Sequence, residues 1–131
     1  MTQAMEMLET FPADLGPDKQ ALADCIEECF SCAQACTACA DACVSEPDAG
    51  ELVRCIGVTM NCAEVCDATG RVLSRHSGRD RSLVTALLRA CVQACATCAD
   101  ECAKHSEHHE HCRVCAQTCR RCRRTCAALL N

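Results

Sequence analysis

The sequence predicts an all-α protein, an antiparallel up-down-up-down four-helix bundle whose interior is lined with cysteine. The chain has 131 residues, of which 18 are cysteine. Most of these cysteines recur at alternating gaps of three and four residues, which places them along one face of a helix. The residues between them are largely Ala, Glu, Gln, Asp and Arg, many of which favour helix formation. Because the predicted joints are short, neighbouring helices should be antiparallel.

The cysteines fall into four blocks, one for each predicted helix. In chain order the blocks are Cys25, Cys29, Cys32, Cys36, Cys39 and Cys43; Cys55, Cys62 and Cys66; Cys91, Cys95, Cys98 and Cys102; and Cys112, Cys115, Cys119, Cys122 and Cys126. We expect a single domain over 1–131, with an arm or a short helix in 1–17. The four helices are predicted at about 18–45, 50–76, 80–105 and 107–130, because Pro, Gly and Asp mark the first two joints.

Composition indicates that sulfur replaces aromatic bulk in the core. Trp and Tyr are absent and there are only two Phe, whereas buried cysteine behaves as a small hydrophobic residue. The net charge of −5 argues against nucleic-acid binding, which favours a basic surface. We also expect no membrane-spanning helix, because no uninterrupted apolar run is long enough.

The N-terminal segment has neither a basic region followed by an apolar stretch nor a twin arginine, so a cytoplasmic location is expected. Since that compartment is reducing, the cysteines are expected to be metal ligands or redox groups and not structural disulfides.

The spacing favours Cu(I) as the metal. Eight C-x-x-x-C pairs account for all the cysteines except Cys55 and Cys112. Residues four apart on a helix share a face, so two sulfurs can flank one ion, and Cu(I) is a soft ion that prefers thiolate. One Cu(I) per thiolate is electrically neutral, whereas Zn²⁺ with four thiolates leaves negative charge in an apolar interior. We therefore expect many Cu(I) ions in each chain.

The two ends of the predicted bundle differ. In the second helix, the cysteine slot between Cys55 and Cys62 is filled by Thr59 or the neighbouring Met60. Continuing the spacing places soft or polar ligands at one end: His105, His108, His109, His111 and, one or two turns inward, Met60 and Asn61. The other end is aliphatic: Leu22, Leu73, Val84, Leu87, Leu88 and Leu129. Metal entry is therefore predicted at the histidine end.

With these features the chain resembles the copper storage proteins, specifically their cytosolic branch. The resemblance covers about 18–130 and rests on the C-x-x-x-C pairs in four helices and on the histidines of 105–111. It implies many Cu(I) ions held by thiolate pairs inside each bundle and tetrameric assembly. It also implies copper entry through the end with His and Met. The matching positions are His105, His108, His109, His111 and Met60, with Asn61 beside them.

Two other functions fit a cysteine-rich chain. An Fe–S electron-transfer protein would also use sets of four cysteines, but its ligands usually lie in loops that wrap a cluster. A thiol redox buffer or sensor needs exposed cysteines of low pKa, whereas these are expected to face inward. The sequence offers no nucleophile, base and oxyanion arrangement, so a binding protein is expected and not an enzyme. Its copper donor would be a small-thiol complex or a copper chaperone.

Overall fold

The computed structural model describes residues 2–131 and consists of four long helices preceded by a short one. The helices are α1 Gln3–Glu9, α2 Lys19–Val44, α3 Val53–Leu73, α4 Arg81–Ala103 and α5 Glu110–Leu130, with a 3-10 helix at Ala49–Leu52. Helix α2 packs against α3 and α5, and α4 packs against the same two helices. The four long helices therefore enclose one axis, and the predicted all-α bundle with a cysteine-lined interior is confirmed.

Every cysteine lies inside the bundle. All 18 are buried and none forms a disulfide. They alternate with exposed polar residues along α2 and α5, so burial of the sulfur face orients each helix. The cysteine core continues at one end into Leu22, Leu73, Val84, Leu88 and Leu129.

The helix ends differ from the predicted ranges by up to three residues, and two of these differences have a clear cause. Helix α3 ends at Leu73, before the predicted 76, because the chain turns back through Gly78, whose φ is 64°. The Arg79 guanidinium then donates to the carbonyl oxygen of Leu73 at 3.0 Å and satisfies a terminal acceptor of the helix. Helix α5 begins at Glu110, later than the predicted 107, because the segment after α4 forms a separate turn closed by the His109 amide and the His105 carbonyl.

Helix α4 is the one helix, among the described residues, that is long and apolar enough to cross a membrane by length and composition, with a mean hydropathy of 1.5. Four of its apolar residues are buried cysteines. A core helix of a soluble protein passes the same test, so one such helix is weak evidence for a membrane span.

The aliphatic end offers a direct test of the packing. Leu88 is 2% exposed and Leu83, on the same helix, is 49% exposed. We expect Leu88→Ala to lower the free energy of unfolding by about 2–5 kcal/mol because it leaves a cavity. Leu83→Ala, the matched control, should change it by less than about 0.5 kcal/mol. Urea denaturation of the reduced protein measures both, and equal effects would contradict the described packing.

Candidate metal centre

The sulfur atoms form overlapping groups along the bundle axis. Within each group, every pair of Sγ atoms lies within 4.8 Å. Among the groups made of cysteine are Cys29, Cys91, Cys122 and Cys126; Cys32, Cys66, Cys95 and Cys122; Cys32, Cys36, Cys62 and Cys119; and Cys36, Cys98, Cys115 and Cys119. Because consecutive groups share members, an ion in one group can pass to the next by exchanging one thiolate at a time. We call the whole set of cysteine sulfurs the thiol stack.

Contacts between helices are as close as contacts within them. The C-x-x-x-C pair Cys32 and Cys36 has its sulfurs 3.8 Å apart. Between helices, however, the Cys32 sulfur lies 3.6 Å from the Cys119 sulfur, and the Cys25 sulfur lies 3.5 Å from the Cys126 sulfur. The sequence pattern indicated only the pairs along one helix. The structure adds pairs between helices as equally good candidates for two-coordinate binding.

Thr59 fills the slot in α3 where the spacing calls for a cysteine. Its side chain is fully buried and its hydroxyl donates to the carbonyl oxygen of Cys55. The hydroxyl oxygen of Thr59 lies 3.8 Å from the Cys98 sulfur and 3.9 Å from the Cys102 sulfur. The thiol stack is therefore interrupted on one side by a hydroxyl, which is a harder ligand than thiolate.

Met60 and Asn61 do not reach the interior. Met60 is 53% exposed and lies in a groove on the outer face of α2 and α3, and Asn61 is also exposed. One step along a helix turns the side chain by about 100°. With Thr59 facing the axis, its two successors point away from the axis, so Met60 and Asn61 lie on the outer surface and not beside the buried sulfurs.

Two of the four predicted histidines lie at the end of the thiol stack. The Nδ1 atom of His111 is 3.4 Å from the Cys39 sulfur and 3.6 Å from the Cys112 sulfur, and its Nε2 atom is 2.8 Å from Glu46 Oε2. A carboxylate only accepts, so Nε2 carries the proton and the Nδ1 lone pair faces the thiols. His111 thus connects the surface to the stack.

His109 is held by two carboxylates and does not touch a thiol. Its Nδ1 atom lies 2.7 Å from Glu46 Oε2 and its Nε2 atom 3.0 Å from Asp48 Oδ2. The ring stacks on that of His111, with centroids 5.5 Å apart. We call Glu46, Asp48, His109 and His111 the mouth cluster.

The other two histidines lie apart from the stack. His105 Nε2 is 3.1 Å from Glu101 Oε2, and Glu101 also binds Arg54 and Lys104. Burial pushes the pKa of Glu101 upward, but hydrogen bonds from His105 and Lys104 outweigh it and leave the pKa below its usual range. His108 is exposed.

Sequence reasoning missed the acidic members of these networks. Glu46 and Asp48 flank Pro47 in the first joint, which the sequence marks only as a loop. The one feature of the sequence that indicates a role for these two residues is that their joint and the histidine segment meet at the same end of an up-down bundle.

The outermost thiols are held in the protonated form. Burial raises the pKa of Cys112 to about 12, and the neighbouring Cys43 adds to the shift. Burial likewise raises the pKa of Cys43. A metal ion that binds here must therefore displace the thiol protons. The positive charge of the ion then takes the place of the charge of the released protons.

The mouth cluster should respond to pH. A hydrogen bond to Asp48 raises the pKa of His109, and hydrogen bonds from His109 and His111 lower the pKa values of Asp48 and Glu46. The contribution of these bonds should be complete between about pH 4.5 and 6.5. It should fade as pH rises through the raised pKa of His109, and also as pH falls through the lowered carboxyl values. NMR titration should give His109 a midpoint above about 6.5, which Asp48→Asn lowers. A midpoint below that value in the parent protein would contradict the geometry.

Comparison with known proteins agrees with this chemistry. A family model described as copper storage protein matches residues 18–131. The structure of a copper storage protein from Streptomyces lividans loaded with 10 copper equivalents is 56% identical, with a TM-score of 0.95 and coverage of 98% of each chain. A five-copper structure of the cytosolic copper storage protein from Streptomyces lividans is 58% identical, with a TM-score of 0.85 over 86% of this chain and 94% of that one. A search of curated proteins found no significant match.

The family match covers all four long helices and the whole thiol stack. The structural matches superimpose the same bundle on copper-loaded proteins. This chain belongs to the copper storage protein family.

Proposed function

We propose that this chain stores Cu(I) in the cytoplasm, binding roughly one ion per thiolate along the bundle axis. The observation that carries the proposal is the thiol stack itself, with 18 free and buried cysteines in overlapping groups. The Streptomyces lividans protein, described as cytosolic and as loaded with 10 copper equivalents, supports the same role here. In this proposal all the cysteines are ligands.

The charge of the interior supports a monovalent ion. The buried polar and charged residues of the described chain are Thr59, Thr69, Glu101 and Thr118, and none of them is a cation. Thiolate charge inside the bundle must therefore be balanced by the metal. Cu(I) achieves this at one ion per thiolate, whereas four thiolates around Zn²⁺ retain two negative charges.

Copper enters at the mouth cluster in this proposal. His111 offers Nδ1 to an ion and touches Cys39 and Cys112, so transfer to thiolate needs no large movement. The opposite end is closed by Leu73 and Leu88, which are 1% and 2% exposed. His105 and His108 are less direct candidates because neither is shown in contact with a thiol.

The role is binding without catalysis, and two further points are part of the proposal. The donor is a small-thiol copper complex or a copper chaperone, which keeps Cu(I) bound until it reaches the mouth cluster.

The chain also assembles into a homotetramer, as the resemblance implies. The outer face of α2 and α3 supports this because Val44 and Met60 expose 61% and 53% of their surface there. Light scattering tests the assembly, and a monomer would contradict it.

The decisive experiment is an anaerobic titration of the reduced apo-protein with Cu(I) against a chromophoric Cu(I) chelator. We expect the protein to bind close to one Cu(I) ion for each of its 18 thiols before the chelator binds any copper. Saturation at a few ions would overturn storage and favour a copper sensor or chaperone.

Thr59 provides a test of the stoichiometry. Thr59→Cys places a thiol between Cys55, Cys98 and Cys102 and should raise the capacity by about one ion. Thr59→Val, which keeps the shape without a soft ligand, should leave the capacity unchanged. Native mass spectrometry of the loaded proteins resolves the difference, and equal capacities for the two variants would contradict the prediction.

A further inference from the structure

The type of ligand changes abruptly at the mouth cluster. Toward solvent, the donors are the imidazoles of His109 and His111 and the carboxylates of Glu46 and Asp48. Toward the axis they are thiols, with the Thr59 hydroxyl as the exception, beginning with Cys39, Cys43 and Cys112, which form a group with His111. Nitrogen and oxygen donors suit Cu(II), whereas thiolates suit Cu(I). The two sets of donors therefore match the two oxidation states of one metal.

His111 joins the two sets directly. Its Nε2 atom lies 2.8 Å from Glu46 Oε2, and its Nδ1 atom lies 3.4 Å from the Cys39 sulfur. The Cys39 and Cys112 sulfurs are 4.0 Å apart. An ion that displaces the Nε2 proton and binds His111 and Glu46 is therefore one imidazole ring away from two thiols that are close to each other and belong to different helices.

We propose that the mouth cluster also binds Cu(II) and that Cys39 and Cys112 reduce it, so that copper enters the stack as Cu(I). Two Cu(II) ions each gain one electron. The two thiols release their protons to solvent, supply the two electrons and form one S–S bond. The products are two Cu(I) ions, one disulfide and two protons, so charge and atoms balance.

The location follows from access and not from the distance between sulfurs. Cys25 and Cys126 are closer together, at 3.5 Å, but they lie at the aliphatic end of the core. Cys39 and Cys112 are the thiols that His111 touches, and 27% of the His111 side chain is exposed. The inference rests on the proposed function, because it uses the same entrance for a second oxidation state.

The test is anaerobic addition of copper(II) sulfate to the reduced apo-protein. Electron paramagnetic resonance of freeze-quenched samples should show a nitrogen-coordinated Cu(II) signal that then disappears. Peptide mass spectrometry should find one disulfide for every two Cu(II) ions, between Cys39 and Cys112. A persistent Cu(II) signal, or a disulfide that maps to Cys25 and Cys126 or is spread over the stack, would overturn the proposal.

Two pairs of variants test the residues. Glu46→Gln with Asp48→Asn replaces the two carboxylates by neutral amides and should slow loss of the Cu(II) signal roughly tenfold. Asp41→Asn with Glu64→Gln, which changes exposed acids on the outer face, should not slow it. Cys39→Ser with Cys112→Ser should abolish the early reduction, whereas Cys25→Ser with Cys126→Ser should retain it. Equal rates within either pair of variants would overturn the proposal.

Titration of the parent protein with Cu(I) separates the two conclusions. A full Cu(I) capacity without Cu(II) reduction overturns this inference and leaves storage intact. A Cu(I) capacity of only a few ions overturns the proposed function. Circular dichroism of each variant, compared with the parent, establishes that the bundle is folded.

Discussion

Loading the reduced protein with Cu(I) is expected to raise its midpoint of thermal unfolding further than any single substitution lowers it. A ligand that binds only the native state stabilises it by about 2.7 kcal/mol when its free concentration is 100 times its dissociation constant. In this chain the stabilisation is repeated over overlapping groups of thiols that come together only in the folded bundle. Differential scanning calorimetry of apo and loaded protein, both anaerobic, measures the shift.

Zn²⁺ supplies the control for this experiment. It also binds thiolate, but it leaves net negative charge inside the bundle, so its stabilisation per bound ion should be smaller. The apo-protein should already be helical, because its thiols fill the core without metal. The Leu83 amide also donates to Asp80 Oδ1 at 3.1 Å, which caps the start of α4 without metal. An unfolded apo-protein, or a midpoint that copper leaves unchanged, would contradict the preformed stack.

The fold could be predicted because its signal is local and repeated. A cysteine every three or four residues fixes both the type of element and the face it buries, and α2 from Lys19 to Val44 follows this pattern without a break. The helix ends were harder to predict because they depend on contacts between segments. Arg79 caps the carbonyl of Leu73 only after the chain has turned at Gly78, and no local pattern records that contact.

The metal site could be predicted from the sequence to a similar extent as the fold. Burial of all the predicted cysteines follows from the spacing, and the histidine end was identified from the order of the helices. Met60 and Thr59 could not be distinguished, because adjacent residues on a helix differ by about 100° in direction and the gap in the cysteine pattern fits either residue. The carboxylates of Glu46 and Asp48 were missed because their partners lie 61 or more residues away in the sequence.

Removing the middle of the thiol stack should cost more copper than removing its far end. Cys32, Cys36, Cys62 and Cys119 form the central group, and three of them also belong to the neighbouring groups. Replacing all four by Ala breaks the series of overlapping thiolates through which an ion moves inward. We expect the Cu(I) capacity to fall by more than the four ions that the four missing thiols would have bound. The thiols toward the aliphatic end should fill much more slowly, because ligand exchange must cross a gap lined by methyl groups.

The matched control removes the same number of thiols at the aliphatic end, where Cys29, Cys91, Cys122 and Cys126 form a group. No thiol nearer the mouth cluster depends on this group for its supply if copper enters only there. The Cu(I) capacity of this control variant should therefore fall in proportion to the number of thiols lost, and its remaining thiols should fill at the rate of the parent protein. Stopped-flow absorbance of the Cu(I)–thiolate band, with native mass spectrometry of the end point, measures both quantities. If the two variants load at the same rate and to the same capacity, ions reach the thiols independently, and neither a single entrance nor transfer along the stack is correct.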